Sequence, residues 1–301
     1  MNITLKLDVA AILQLISILL TAIGFVVAWI TYRARIAQNR SEWTASLIND
    51  FLLHPRNISV RRNLELSYKE LLNNYIQATL SGDNPLLFCS EKEIESSREL
   101  EDFFAQLEFF CYLESTKTIL NKDLEASLGF WLNFIKQKQF AAVRVYLQEN
   151  SFEFLVERLG GPVEINRILV YGTLKSGTPQ HKAFGLEECS KSLGVRNIPG
   201  QLFAVHSDYP GANLNLDMLF SNYPPKVSST FQCELLEIDT DKVDWAKLLR
   251  KLDQYENEGT NQEYRRFLVP CDDAVAWIYA YVEPTAIHQK IESGIWDQEI
   301  D

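Results

Sequence analysis

The sequence is poor in the residues that hold metals and cross-links. It has four histidines (His54, His181, His206, His288) and no HxxxH or mixed Cys/His cluster, which excludes the usual metal spacings. Its five cysteines (Cys89, Cys111, Cys189, Cys233, Cys271) are odd in number, far apart and never in a CxxC pair. A disulfide framework is therefore not expected, and a reducing compartment is the simpler reading. Basic charge is also short, with 29 Lys and Arg against 40 Asp and Glu and a net charge of −11. A nucleic-acid surface needs the opposite balance. No Rossmann glycine pattern is present. Gly172 and Gly177 have GxxxxG spacing, but Thr178-Pro179 stands where a phosphate loop needs Lys-Ser/Thr. Nucleotide binding is rejected on those missing side chains.

What the chain does have is apolar bulk, 47% of 301 residues, enough for about two domains. The first concentration is Val9 to Tyr32, which contains no charged residue. As a helix it would be roughly 36 Å long, enough to cross the hydrocarbon core of a bilayer. Trp29 and Tyr32 sit at its end, where aromatic rings favour the interface, and Arg33, Arg35 and Arg40 follow. The excess of positive charge on that side predicts a single-pass anchor with the C-terminal bulk in the cytoplasm. A cleaved signal peptide would have a shorter apolar core and a small-residue exit, which is lacking here.

Residues 40–160 read as an all-α segment of unassigned role. Leu100, Phe103, Phe104, Leu107 and Phe110 recur at helical spacing, and Ser90 to Glu93 form a capping box ahead of them. Asn121 and Asp123 open a second helix through Leu124, Leu128, Trp131, Leu132 and Phe134. Gly82 to Pro85 mark a loop. The aromatic set Phe103, Phe104, Phe109, Phe110 and Tyr112 is expected to be core packing rather than a ligand box. The segment suits a spacer, a bundle for homo-oligomer formation, or a partner-binding module.

Gly160-Gly161-Pro162 ends the helical pattern. Strands are then expected at Ile168–Tyr171, Val195–Val205, Ser228–Ile238 and Phe267–Val282, the last interrupted around Cys271–Ala274. One helix is expected near Lys242 to Glu256. Many strands and few helices predict an α+β domain with a small β-barrel over 161–301, behind the helical segment and an anchor of residues 1–39.

Two places carry chemistry. An apolar strand runs into Gly172-Thr173-Leu174, and a glycine turn at a strand end exposes backbone N–H groups that can hold an oxygen. Downstream, Trp245, Leu249, Leu252 and Glu256 share one helical stripe. A carboxylate on an apolar stripe loses hydration, which raises its pKa and suits proton transfer near neutrality. Tyr209-Pro210-Gly211 reads as a turn that could wall a cleft. An Arg of Tyr264-Arg265-Arg266 could pair with a carboxylate.

Taken in order, Val170-Tyr171-Gly172-Thr173-Leu174-Lys175, Tyr209-Pro210-Gly211, Leu252-Asp253-Gln254-Tyr255-Glu256 and Tyr264-Arg265-Arg266 resemble the gamma-glutamylcyclotransferase-like family, in particular its gamma-glutamylamine cyclotransferase branch. Cys233 to Asp239 and Ala276 to Tyr279 resemble its central and late strands. The resemblance covers about residues 166–285. It implies a small β-barrel with flanking helices and no cofactor or metal. It implies that Glu256 is the catalytic acid/base, and that Tyr171, Gly172, Thr173 and Leu174 line the substrate pocket with Tyr209, Tyr264, Arg266 and Tyr279 as further walls. The implied reaction converts a gamma-glutamyl amide to 5-oxoproline and a free amine. The family usually has Gly after the catalytic Glu. Here Asn257 follows and Gly259 comes later, so the loop 257–263 is expected to reshape the pocket. A module that senses a gamma-glutamyl-like metabolite without turnover, and a scaffold built on the helical segment, remain alternatives.

Overall fold

The computed structural model describes residues 9–66, 68–82, 89–205, 209–219, 229–257, 263–272, 274–282 and 289–296. The chain begins with one unbroken helix, Val9–Leu53, of 45 residues. At 1.5 Å per residue it is about 68 Å long. It is the one helix among the described residues that is long and apolar enough to cross a membrane. The expected boundary near residue 39 is not a break: the helix runs through it. Residues 13–39 are all exposed, whereas Thr44, Ile48 and Phe51 are buried. The last turns of the same helix therefore belong to the core of the body that follows.

That body continues with the helices Pro55–Leu66, Tyr68–Ser81, Glu91–Ser115, Asn121–Ile135, Ala141–Glu149 and Glu153–Arg158. The expected capping box is present, with Glu93 N–H donating to the Ser90 side chain and the Glu93 carboxylate accepting from Ser90 N–H. Two of its four orphan N-terminal donors are accounted for in this way. Phe103, Phe104 and Phe110 are buried as expected, but Phe109 and Tyr112 are not. Their exposure follows from the 100° step of the helix, which turns positions 109 and 112 away from the 103–107–110 stripe. The expected loop at Gly82–Pro85 falls mostly outside the described residues.

Seven strands follow among the described residues: β1 Arg167–Val170, β2 Ser190–Val205, β3 Tyr209–Leu214, β4 Thr230–Ile238, β5 Tyr264–Cys271, β6 Ala274–Tyr281 and β7 Gln289–Lys290. They form one curled, half-barrel sheet of order β3-β2-β4-β1-β6-β5, with β7 pairing β2. β1 and β6 are parallel; the other pairs are antiparallel. Three sequence expectations are corrected. β2 starts at Ser190 because a bulge between Ser192 and Val195 lets pairing to β4 continue past Gly194. β5 starts at Tyr264 rather than Phe267. Tyr209-Pro210-Gly211 is not a turn but the start of β3, paired to Ala204 and its neighbours. Pro210 is tolerated because β3 is an edge strand.

Alternation along the strands separates two cores. Ile168 and Val170 of β1 pack with the helical segment and the helix Trp245–Asn257, while Leu169 and Tyr171 pack inside the curl with Phe231, Leu235 and Ile278. Both faces are buried, which is why β6 reads as an uninterrupted apolar run. The outer-face core is continuous from Ile48 and Phe103 to Trp277 and Tyr279. The curl closes tightly where β3 meets the end of β6: a Cβ on Gly211 would lie 2.6 Å from Val205 Cγ2 and 3.1 Å from Tyr281 Cβ. Gly211→Ala should therefore lower stability by roughly 1–3 kcal/mol, since overfilling a packed site forces backbone shifts. Chemical denaturation of the full chain in mild detergent checks this, and an unchanged midpoint contradicts the close approach.

Candidate active site

The candidate site lies at the end of the curl where β1 and β6 finish and β3 and β5 begin. The helix Trp245–Asn257 runs alongside β1 and is tied at both ends. At its start Trp245 Nε1 donates to Ile165 O at 2.9 Å; near its end the Tyr255 hydroxyl lies 3.2 Å from Thr173 Oγ1. These contacts bracket β1 and set the helix's height against the strand. Four of the five members of the Leu252–Glu256 motif have their own task, and Gln254 is exposed. Leu252 is fully buried in the outer core. Asp253 accepts from Arg266 Nη1 at 2.9 Å and from the Tyr279 hydroxyl at 2.7 Å. Tyr255 touches Thr173 and packs edge-on against Phe184. Glu256 is the next residue on.

Glu256 is half-buried as a residue, but its carboxyl is withdrawn from water. Burial first, and then the negative charge of Asp253, raise its pKa from 4.5 to about 8. Three phenols lie within electrostatic reach of it, those of Tyr171, Tyr264 and Tyr279. Each is itself pushed up, chiefly by burial, so none is ionised near neutrality. Their hydroxyls hold the end of the curl together. Tyr171 donates to Tyr279 O at 2.8 Å and accepts from Ala212 N–H at 3.3 Å; Tyr264 donates to Pro210 O at 3.0 Å. Tyr209 packs its ring 6.2 Å from that of Tyr264.

The loop after β1 is fixed from below. Lys175 N–H donates to Gly172 O, and the Thr178 hydroxyl donates to Thr173 O and Lys175 O. Thr178 then caps the helix Pro179–Ala183. Glu234 on β4 accepts from Ser176 N–H and Ser176 Oγ, both at 2.8 Å. Burial raises the Glu234 pKa, but hydrogen bonds from Ser192 and Ser176 outweigh it and hold the group anionic. Buried His181 contacts Leu174 O through Nδ1 at 2.9 Å. Among the described residues the N–H groups of Gly172, Thr173 and Leu174 have no hydrogen-bond partner. Gly172 is required for this arrangement: its Cβ would fall 2.6 Å from Pro210 Cγ. Three free amides on a loop that meets the Glu256-bearing helix through Thr173 and Tyr255 can receive an oxygen that gains negative charge while the carboxyl moves a proton.

The expected site residues thus meet at one end of the curl, with one exception. Arg266, expected in the pocket wall, is buried behind the helix, where it pairs with Asp253 and stacks 4.5 Å from the centre of the Trp277 ring. Sequence reasoning foresaw an Arg–carboxylate pair here without naming the acid. It missed Asp253, although the spacing of three from Glu256 puts both on one face. It also missed Thr178 and His181, which brace the loop locally, and Glu234, whose partner Ser176 lies 58 residues away. Among the described residues no cluster of His, Cys, Asp and Glu could hold a metal ion.

Residues 168–298 match the family model described as gamma-glutamyl cyclotransferase, AIG2-like, and this part of the chain belongs to that family. Similar solved structures include protein ytfP from Escherichia coli, with 30% identity over 43% of this chain and 95% of that one at a TM-score of 0.29. An AIG2-like protein from Mus musculus is 23% identical over 45% of this chain and 90% of its own, at a TM-score of 0.31. An uncharacterised protein from Pyrococcus horikoshii is 24% identical over 44% and 89%, at a TM-score of 0.30. No curated protein matches the chain.

Burial of Glu256 has a thermodynamic signature. Its carboxyl ionises near 4.5 when unfolded and near 8 when folded. Below about pH 4.5 it is neutral in both states; above that the unfolded chain gives up its proton first, so stability falls as pH rises, until about 8. Glu256→Gln escapes this penalty. The variant should melt more than about 4 °C above the parent near pH 8.5 and close to it near pH 4. The same difference at both pH values in a thermal scan would mean that the carboxyl is not desolvated.

Proposed function

We propose that the chain is a membrane-anchored cyclotransferase that converts a gamma-glutamyl amide to 5-oxoproline and a free amine. The observation that carries the reading is the desolvated Glu256 carboxyl on a helix that meets the loop of free amides, Gly172 to Leu174, through Tyr255 and Thr173. Family membership of residues 168–298 supports the reaction class. In this reading the α-amine of the substrate attacks its own side-chain carbonyl carbon. Glu256 takes a proton from the attacking nitrogen, and the carbonyl oxygen becomes an oxyanion held by the backbone amides. The bond from that carbon to the amide nitrogen then breaks, Glu256 returns the proton to the departing amine, and a five-membered lactam remains. Atoms and protons balance without a co-reactant. Folding the substrate into a ring-closing pose supplies much of the acceleration, because the reaction is intramolecular.

A pKa of about 8 makes the ionised base a minority at neutral pH. The rate at low substrate should therefore climb with pH and level off above about 8. Glu256→Gln should keep the fold and lose at least about a thousandfold in turnover, read as 5-oxoproline by mass spectrometry over a panel of gamma-glutamyl amides. Turnover retained by the variant removes Glu256 from the mechanism. Binding of the panel by the parent chain without any 5-oxoproline overturns catalysis in favour of a metabolite sensor.

We infer in addition that residues 9–32 span the bilayer and that Arg33, Arg35 and Arg40 hold the following body on the cytoplasmic side. The apolar helix with fully exposed flanks supports this. The chain should stay with membranes after carbonate washing, and protease added from outside should leave residues 40–301 intact. Release by carbonate, or digestion of that body from outside, overturns the topology.

A further inference from the structure

The helical segment reaches the candidate site through the free edge of β5. The Gln77 side chain pairs with the backbone of Leu268 as a strand would: Nε2 donates to Leu268 O and Leu268 N–H donates to Oε1, both at 2.8 Å. One turn later Ser81 grips Arg266 twice. Its hydroxyl donates to Arg266 O at 2.6 Å, and its own carbonyl accepts from Arg266 Nη2 at 3.1 Å. The other arm of the same guanidinium, Nη1, donates to Asp253 at 2.9 Å. Asp253 lies one helical turn before Glu256.

We propose that the helix Tyr68–Ser81 is a positioning element of the active site: Gln77 and Ser81 lock Arg266, and Arg266 holds and neutralises Asp253 beneath Glu256. The proposal rests on the reading of Glu256 as the proton-transferring group. It gives the helical segment, which lies outside the family match, a direct part in the chemistry.

Among the described residues the groups facing Glu256 are Asp253 on its own helix, Tyr171 just after β1, Tyr264 on β5 and Tyr279 on β6. The phenols are neutral, so among these groups Asp253 is the charged one. Its influence on Glu256 depends on how well Arg266 compensates it. Arg266 is itself 8% exposed and stacked on Trp277, so it has little freedom to find another acceptor without moving. Loosening its grip on Ser81 therefore weakens its grip on Asp253, and the less compensated charge makes ionisation of Glu256 harder.

The test uses the full chain in mild detergent and needs no substrate. Infrared pH titration of the parent, with Glu256→Gln subtracted, isolates the Glu256 carboxyl band. In the Gln77→Ala/Ser81→Ala variant the midpoint should move up by about half a unit or more. A midpoint within about 0.2 units of the parent overturns the proposal and leaves the helix a passive support. Should the double variant fail to fold by circular dichroism, Arg266→Lys decides. A single ammonium keeps the charge but cannot fork between Ser81 O and Asp253, so the midpoint should rise, and an unmoved one is fatal. The readout is independent of turnover, so loss of the cyclotransferase reading in the product assay is a separate outcome.

Discussion

Arg266 makes the contact on which the other parts depend. Its two terminal nitrogens reach different elements, one the end of a helix from the N-terminal segment and one the helix that carries Glu256. A planar fork with fixed donor directions suits such a junction better than a flexible ammonium. The pair with Asp253 is mostly buried, with side-chain exposures of 9% and 32%. A buried pair of this kind adds little net stability against a well-packed apolar alternative. Its value here is geometric: it fixes the register of the helix Trp245–Asn257 against β5 and β6, and with it the depth of the carboxyl.

The opposite wall depends on close approach rather than charge. Pro210 sits over Gly172, and Val205 and Tyr281 sit against Gly211, in each case nearer than any side chain would permit. Phenolic hydroxyls then stitch β1, β3, β5 and β6 together at that end of the curl. The resulting wall is rigid and largely apolar. The loop amides and one carboxyl stand out against it as groups without a structural duty.

Much of this was readable from residue order, and the reasons differ by feature. The helices declared themselves by period and by the box at Ser90, because local rules govern both. Glu256 was legible because Trp245, Leu249 and Leu252 define a stripe that it extends. The strand starts were less so. β5 is buried on both faces, so its first residues, Tyr264 to Arg266, look polar in sequence although Tyr264 and Arg266 lie inside. β3 was hidden by Pro210-Gly211, a turn signal that here serves close packing. The junction between segments could not be seen at all. Gln77 and Leu268 are 191 residues apart, and nothing in either neighbourhood signals the other.

The Gln77 pairing has a consequence for the sheet as a physical object. β5 ends the sheet order on one side, and an uncovered strand edge is an adhesive surface for any other extended chain. The amide of Gln77 and the grip of Ser81 occupy the middle of that edge. A fragment cut away ahead of β1 would lose this cover and bare an apolar margin of backbone. Such a fragment would tend to join its own copies edge to edge, so the N-terminal helices also serve as a stopper against aggregation.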